Sequence, residues 1–243
     1  MHIYIAGASG RNGRLVLQEA LERGHTVTAL VRTPSSLPPH PNLTVISGTP
    51  ASQADVERGL VTPRPAAAVI TALGARRTSD SPFAPLRPDD SPPDLLASTT
   101  RVLLAAIARV FSSSESDGGP DSKTASSSMP APPKVVANSS FGAGSSWAAM
   151  TWPMKLIFSH GAMRLSLQGH NDMDGLVRGS GLPFVLARPA RLVDGAPSAV
   201  RALPDKGHGC GWNPVITRHS AARWLVQAAE SDQWDGIAPV IVN

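Results

Sequence analysis

The chain has 243 residues, of which 42% are hydrophobic and 16% are charged, and its formal net charge is +4 at pH 7. This length and hydrophobic fraction are typical of one large α/β domain with a well-developed core. The basic residues are scattered, with Arg76-Arg77 as the only adjacent pair. We therefore expect no nucleic-acid partner, because such an interface needs clustered positive charge.

The cysteine content and the hydropathy of the sequence indicate the cellular compartment in which the protein is expected. Cys210 is the only cysteine, which excludes an internal disulfide and favours a reducing compartment. No apolar run approaches the ~20 residues that a membrane-spanning helix needs, and the first apolar segment begins without a signal-peptide pattern. We expect a cytoplasmic protein with no membrane partner.

The N-terminal stretch MHIYIAGASGRNGR combines an apolar strand, spaced glycines and the start of a helix. His2–Ala6 is predicted as a buried strand, and apolar residues after Gly13 recur at helical spacing. In this context the glycines predict a dinucleotide site, because they permit a sharp turn, close approach of a pyrophosphate and close helix–strand packing. The alternative is a structural turn with chance glycines. The predicted contacts, around the N–H groups of the new helix, are Gly7, Ser9, Gly10, Arg11, Asn12 and Gly13.

The second predicted strand, Thr26–Val31, ends at Arg32 and Thr33. In a dinucleotide fold this strand end meets the adenosine ribose, where an acidic residue selects NAD and an arginine pairs with the 2′-phosphate of NADP. No acidic residue follows until Asp55. We therefore predict NADP(H) as the cofactor, with Arg32 and Thr33 as contacts; the alternative is a solvent-exposed arginine at a strand end.

Two further strands complete the predicted first half of the sheet. They are Leu43–Ser47 and Ala66–Leu73, separated by a helix over Gln53–Leu60. Repeated βα steps predict a parallel sheet with right-handed crossovers. Ligands bind at the carboxyl ends of such strands, so we expect Thr71, Ala72, Leu73 and Gly74 to line the cofactor crevice.

Residues 76–93, which include Phe83, are rich in Pro, Asp and Ser and are predicted to form a substrate-side loop. A helix is predicted over Asp94–Val110. Residues 112–133 are a low-complexity run with too little apolar surface to bury. We expect this run to be a surface insertion without a catalytic role.

The second half is predicted to contain strands at Val135–Ser140, Leu182–Ala187 and Ala238–Val242, with helices over Leu167–Ser180 and Arg218–Ala229. The segment Trp147–Leu156 carries large apolar side chains at irregular spacing, which suits either a pocket wall or core packing. We find no internal repeat and no second core, so residues 1–243 are predicted to form one domain.

Five motifs resemble the atypical short-chain dehydrogenases of the NmrA-like and biliverdin-IXβ-reductase-like group. They are GASGRNGR, LVR, VVANSS, SGLPFVLARPARLVDG and ITRHSAARWLVQAAES, and they span nearly the whole chain. The resemblance implies an α/β fold with a single doubly wound Rossmann-type parallel sheet flanked by helices, and a small substrate-binding C-terminal part. It also implies that the residues after the sixth strand close over the nicotinamide; here these are Pro189, Ala190, Arg191 and Leu192.

The chain departs from this superfamily at two points. Ordinary members use a Tyr-x-x-x-Lys pair for proton transfer, but the only tyrosine here is Tyr4, inside the first predicted strand. Relatives often place Asp after the glycine of the third strand, whereas Gly48 is followed by Thr49. We expect the adenine contact to differ in detail.

Catalytic candidates remain without the tyrosine. Ser139 and Ser140 follow the fifth predicted strand and could orient an acceptor and stabilise developing charge. His170 matches the position of a histidine in the biliverdin-reductase-like proteins and could transfer a proton near neutral pH; the alternative is a helix-surface histidine. Asp172 and Asp174 could raise its pKa or be solvated charges. No metal is predicted, because His160, His170 and Asp174 lack compact ligand spacing.

The sequence thus predicts an NADP(H)-dependent oxidoreductase that reduces a carbonyl, imine or conjugated group of an apolar small molecule. Specialised metabolism, with reduction coupled to a rearrangement or cyclisation, is one version of this function. A non-catalytic NmrA-like NADP(H) sensor is the alternative. We expect a monomer or weak homodimer.

Overall fold

The computed structural model describes residues 1–76, 78–79, 84–87, 91–112 and 130–243. The strands in these ranges are β1 (His2–Ala6), β2 (Thr26–Val31), β3 (Leu43–Ser47), β4 (Ala68–Thr71), β5 (Lys134–Asn138), β6 (Phe184–Pro189), β7 (Arg191–Val193), β8 (Arg201–Leu203), β9 (Val215–Thr217) and β10 (Val240–Val242). The α-helices are α1 (Arg11–Glu22), α2 (Gln53–Val61), α3 (Leu95–Phe111), α4 (Trp152–Phe158), α5 (Gly161–Arg178) and α6 (Arg218–Glu230).

Eight strands form the central sheet in the order β3-β2-β1-β4-β5-β6-β10-β8. Neighbours from β3 to β10 are parallel, and β8 is antiparallel to β10. The chain first winds outward from β1 to β3 and then resumes on the other side of β1 with β4. This reversal between β1 and β4 is the point where a doubly wound sheet opens a crevice at its carboxyl edge.

The apolar sequence of β1 is explained by burial on both faces. Ile3 and Ile5 belong to the hydrophobic cluster on one face of the sheet, which includes residues of α1 and α6. Tyr4 and Ala6 belong to the cluster on the other face, with residues of α2, α3 and α5. Because both faces are covered, a central parallel strand is apolar throughout rather than alternating. The predicted doubly wound α/β fold is confirmed.

The structure differs from the predicted elements mainly in the second half. The helix predicted from Leu167 begins at Gly161. The irregular Trp147–Leu156 segment overlaps a 3₁₀ helix over Gly144–Ala149 and then α4. The short strands β7 and β8 were not predicted. Each has only three residues, and pairing with β9 and β10 rather than local pattern defines them.

Two predicted segments are described only in part. The ends of the 76–93 loop are paired, since the Arg87 N–H donates to the Arg76 carbonyl at 2.9 Å and the Thr78 N–H to the Pro85 carbonyl at 3.0 Å. Phe83 and residues 113–129 lie outside the described residues. The single-domain prediction, with substrate binding in the C-terminal part, stays a prediction. None of the described helices is long and apolar enough to cross a membrane.

Candidate functional site

The loop between β1 and α1 requires glycine at two of its positions. Gly7 has φ +90°, and a Cβ there would lie 2.9 Å from the backbone carbonyl carbon of Ala72, at the end of β4. A Cβ on Gly13 would lie 2.0 Å from the carbonyl oxygen of Gly7. Both contacts are with backbone, so no side-chain rearrangement would relieve them. The glycines therefore let α1 and two strand ends approach closely.

The start of α1 fits an anionic group. The helix begins at Arg11 after Gly10, no described side chain caps it, and its first turn holds no acidic residue. The Oδ1 atom of Asn12 is buried without a hydrogen-bond partner among the described residues. Uncapped N–H groups and the positive end of the helix dipole favour a phosphate at this position. We call Gly7–Gly13 the glycine cradle; its residues fit the pyrophosphate of a dinucleotide.

The carboxyl ends of four neighbouring strands carry most of the other predicted contacts. The Ala72 N–H donates to the Ala6 carbonyl at 2.8 Å, which holds the end of β4 beside the glycine cradle. The Ser139 N–H donates to the Ala187 carbonyl at 2.7 Å, which joins the ends of β5 and β6. The residues that the structure brings to this edge are Thr71, Ala72, Leu73, Gly74, Ser139, Ser140, Pro189 and Ala190.

Four predicted contacts lie at the flanks of this edge. Arg191 is exposed and Leu192 is half-buried at the start of β7. Arg32 and Thr33 are exposed directly after β2, where the ribose is expected. These positions are accessible to a ligand at the carboxyl edge, and their role as cofactor contacts stays a prediction.

An acidic residue lies close to the end of β3 although the sequence places it further on. Asp55, in the first turn of α2, accepts the Thr49 N–H at 3.1 Å and an Arg58 N–H at 2.9 Å. The Thr49 hydrogen bond, with Arg58 and Ser52, holds the pKa of Asp55 below its usual value. A Cβ on Gly48 would lie 2.6 Å from the Asp55 carboxyl carbon. Asp55 therefore folds back over the Gly48–Thr49 turn.

The two candidate serines after β5 have different environments. Ser139 is buried, and its hydroxyl donates to the Oδ1 atom of Asp174 at 2.8 Å. Ser140 is half-buried, and its hydroxyl donates to the Phe141 carbonyl at 3.1 Å. Ser140 is therefore the more accessible of the two, while Ser139 joins β5 to α5.

His170 does not fit a proton carrier at neutral pH. The residue is half-buried, its Nδ1 atom is fully enclosed, and that atom has no partner among the described residues. Burial lowers the pKa of His170 to about 4, although Asp174 acts in the opposite direction. The expectation of proton transfer near neutral pH is therefore corrected, because desolvation outweighs the neighbouring carboxylate. At neutral pH the imidazole is uncharged.

A buried ion pair next to the serines was not predicted. The Arg188 guanidinium on β6 donates to the Oδ2 atom of Asp174 through Nη2 at 2.8 Å and Nε at 3.3 Å. Both side chains are almost fully buried. Arg188 Nη1 also donates to the Ser145 hydroxyl and to the Asp205 carbonyl, both at 3.0 Å. The pair therefore ties β6, α5 and two loops together.

The sequence did contain signals for this pair. Arg188 interrupts the apolar run of β6, and Asp174 shares the buried face of α5 with Met173 and Val177. A charged residue inside a buried strand or helix face requires a partner. The expectation that Asp174 is a solvated charge is corrected.

Tyr4 lies within β1 and is fully buried. Burial, assisted by Asp55, raises the pKa of its hydroxyl, and the hydroxyl has no hydrogen-bond partner among the described residues. A Cβ on Gly59 would lie 2.5 Å from the Tyr4 ring, so α2 packs directly against it. Tyr4 is therefore a core residue.

A cleft of about 460 Å³ opens between the loop after β5 and the α4–α5 hairpin. We call it the acceptor cleft; it is lined by Gly142, Gly144, Trp147, Phe158, Ser159, Arg164, Leu167, Gln168 and Asn171. The predicted alternatives for Trp147–Leu156 both occur, since Trp147 lines the cleft and Met150 is buried in the core. In the described part of the chain, no group of three or more His, Cys, Asp or Glu residues could hold a metal ion.

The fold and the glycine cradle together define a dinucleotide-binding Rossmann protein. A family model for NAD(P)H-binding proteins matches residues 7–232. The chain belongs to this NAD(P)H-binding family, so the predicted membership of an NAD(P)-binding Rossmann family is confirmed.

Solved structures with the same fold include several reductases and NAD(P)-binding proteins. ChuY, an anaerobillin reductase from Escherichia coli O157:H7, has a TM-score of 0.70 at 15% identity, covering 100% of this chain and 97% of that chain. A short-chain dehydrogenase/reductase from Veillonella parvula in complex with NADP has a TM-score of 0.69 at 16% identity, with 100% and 94% coverage. A Rossmann-fold NAD(P)-binding protein from Shigella flexneri has 0.62 at 18%, with 99% and 92% coverage. At these identities the likeness establishes the fold.

Proposed function

We propose that the protein is an NADP(H)-dependent reductase of the atypical short-chain dehydrogenase type. The observation that carries this proposal is that the glycine cradle follows β1 and that the loop lining the acceptor cleft follows β5, so both lie after the carboxyl ends of strands in one parallel sheet. Membership of the NAD(P)H-binding family supports the cofactor. ChuY is described as a reductase, which supports the reaction class.

The chain's own residues account for cofactor binding. Gly7, Gly10 and Gly13 bring the α1 N–H groups to the pyrophosphate. Pro189–Leu192 flank the nicotinamide side. When bound, the dihydronicotinamide supplies hydride to an acceptor.

The preference for NADP(H) over NAD(H) rests on charge at the end of β2. Arg32 is exposed at this strand end, where a 2′-phosphate would lie. A guanidinium binds phosphate through two parallel hydrogen bonds, so it discriminates strongly between a phosphate and a hydroxyl. The Asp55 carboxylate is held by Thr49 and Arg58, which accounts for its position without a ribose contact.

The acceptor is held by the loop after β5 and by the acceptor cleft. The Ser140 hydroxyl is accessible and can donate a hydrogen bond to a carbonyl or imine acceptor, stabilising charge as it develops. Asp174 fixes the neighbouring Ser139 through a 2.8 Å hydrogen bond, so the backbone before Ser140 has one orientation. The aromatic walls of the cleft suit an apolar molecule bearing a carbonyl, imine or conjugated group.

The finer expectations belong to the same proposal. These are a cytoplasmic protein, a monomer or weak homodimer, and a substrate of specialised metabolism whose reduction is coupled to a rearrangement or cyclisation. A pocket that holds a reactive product after reduction would direct such a step by its shape.

A non-catalytic NADP(H) sensor is the second candidate, and one observation favours it. Ser139 is engaged by Asp174, and His170 is uncharged at neutral pH. Neither supplies a strong acid, and Tyr4 is buried in the core. A sensor needs no proton donor, so the same site would serve it.

Oxidation of NADPH by a panel of carbonyl, imine and quinone acceptors, followed at the nicotinamide absorbance, distinguishes the two. A reductase oxidises NADPH with at least one acceptor, and Ser140→Ala lowers kcat by about 10-fold, the loss of one hydrogen bond to developing charge. NADPH affinity is unchanged in this variant. The control is Ser180→Ala, at the opposite edge of the sheet. Tight NADPH binding with no turnover identifies the sensor.

A further inference from the structure

The acceptor cleft has an apolar wall and a cationic rim. Trp147, Phe158 and Leu167 supply aromatic and aliphatic surface to its lining. The Arg164 side chain lies at its edge in the first turn of α5, and no hydrogen bond or ion pair joins its guanidinium to any described residue. Lys155 lies close by, with its Nζ 6.0 Å from the centre of the Trp147 ring.

Carboxylates do not offset this charge in the described part of the cleft. Its lining includes one arginine and no Asp or Glu. On α5, Asp174 pairs with Arg188. Asp172 lies outside the lining and accepts a hydrogen bond from the amide of the lining residue Gln168 at 2.8 Å. Among the described lining residues, the charged side chain is therefore a cation.

The start of α5 adds to this positive charge independently. No described side chain caps the helix, its first turn holds no acidic residue, and Ser159, just before it, lines the cleft. The positive end of an 18-residue helix thus lies beside Arg164. An anion at this point would gain from both the dipole and the guanidinium.

We propose that the acceptor cleft binds a compact aromatic or conjugated anion, with the ring system against Trp147 and Phe158 and the carboxylate or sulfonate at Arg164. This proposal rests on the proposed reductase function, because it names the chemical class of the acceptor. Binding of the anion can nevertheless be measured without turnover. The cleft volume of about 460 Å³ is in the lower half of the range of ligand pockets, roughly 300–1,000 Å³. A molecule of two or three rings suits that volume.

The test compares two fluorescent probes of similar ring structure, the anion 8-anilinonaphthalene-1-sulfonate and the neutral N-phenyl-1-naphthylamine. Both are titrated into the full chain with saturating NADP⁺, which closes the nucleotide site to the probes. The variants are Arg164→Gln and Trp147→Leu. The matched control is Arg101→Gln, which removes the same charge from the exposed face of α3.

Arg164→Gln should weaken binding of the anionic probe by about 5-fold and leave the neutral probe unchanged, while Arg101→Gln changes neither. Trp147→Leu should weaken both probes, because both stack on the ring. Equal affinity of wild type and Arg164→Gln for the sulfonate, or equal loss for the two probes, would overturn the proposal. Saturable NADPH binding and turnover in the same preparation would then leave the reductase function standing, so the two failures are distinguishable.

Discussion

The two halves of the carboxyl edge are organised by different physical means. Around β1 and β4 the backbone itself forms the candidate site, since the glycine cradle brings chain segments within contact distance and the start of α1 has no side-chain cap. Around β5 and β6 buried side chains make it, with Arg188 and Asp174 at the centre of a hydrogen-bond network. A site made by the backbone depends only on the presence of the glycines. A site made by side chains changes whenever those side chains are substituted. Under the proposed function, the first region binds the cofactor and the second binds the substrate.

Disrupting the glycine cradle should have the largest effect on NADPH binding. Gly13→Ala places a methyl group 2.0 Å from the Gly7 carbonyl oxygen, so α1 must move and NADPH binding should be lost. The control is Gly175→Ala on α5, where a Cβ meets nothing within 4 Å and stability should be unchanged or higher by up to about 1 kcal/mol. Calorimetric titration with NADPH and thermal unfolding measure both. Wild-type affinity in Gly13→Ala would contradict the close packing of the cradle.

Disrupting the hydrogen-bond network around Arg188 and Asp174 should mainly lower the free energy of unfolding. Arg188→Met leaves the buried Asp174 carboxylate unpaired, which costs about 3–5 kcal/mol in the free energy of unfolding. Arg218→Met, which removes a 2.6 Å ion pair with the exposed Asp194, should cost less than about 1 kcal/mol. Urea unfolding followed by circular dichroism gives both values. Similar losses for the two variants would show that burial does not distinguish these pairs.

Charge reversal at the ribose end sharpens the comparison, because it tests selectivity rather than folding. Arg32→Glu should weaken NADPH binding by about 10- to 100-fold, since it removes a charged hydrogen bond to the 2′-phosphate. NADH binding should change little. The control is Arg101→Glu, exposed on α3. Equal loss of NADPH and NADH binding would refute the 2′-phosphate assignment.

The pH dependence of stability tests the environment of His170. Its folded pKa of about 4 lies below the unfolded value near 6.5, so the unfolded chain takes up a proton first as the pH falls. The uncharged His170 therefore costs no stability above pH 6.5. As the pH decreases from 6.5 to about 4, the free energy of unfolding falls. Between pH 7 and 5 this amounts to up to about 2 kcal/mol.

His170→Gln should remove that part of the loss, while the buried His2, whose pKa is also lowered, continues to contribute in both proteins. Urea unfolding of wild type and variant at the two pH values gives the difference directly. An identical pH dependence in the two proteins would place the imidazole in water.

The sequence predicted the first three strands and the glycine turn well for a physical reason. Gly7 and Gly13 are required by backbone contacts within a few residues or at one neighbouring strand, so their spacing carries the information locally. The bounds of β1, β2 and β3 agree with the predicted ones, because buried parallel strands are continuous apolar runs.

The region around β5 and β6 was less predictable, because its contacts join residues that are distant in sequence. Arg188 binds Asp174, Ser145 and Asp205, and no local pattern links those residues. The strands β7 and β8 depend on pairing with later strands. The expectation for His170 failed because burial of a ring depends on the packing of α5, and desolvation then outweighs the carboxylate that the sequence places nearby.

Titration of the purified chain with NADPH and, separately, with NADH tests the central claim most directly. Binding of one NADPH per chain, with NADH at least about 10-fold weaker as expected for a charged contact to the 2′-phosphate, is the predicted result. Absence of saturable binding by either nucleotide would contradict the assignment of the carboxyl edge as a cofactor site.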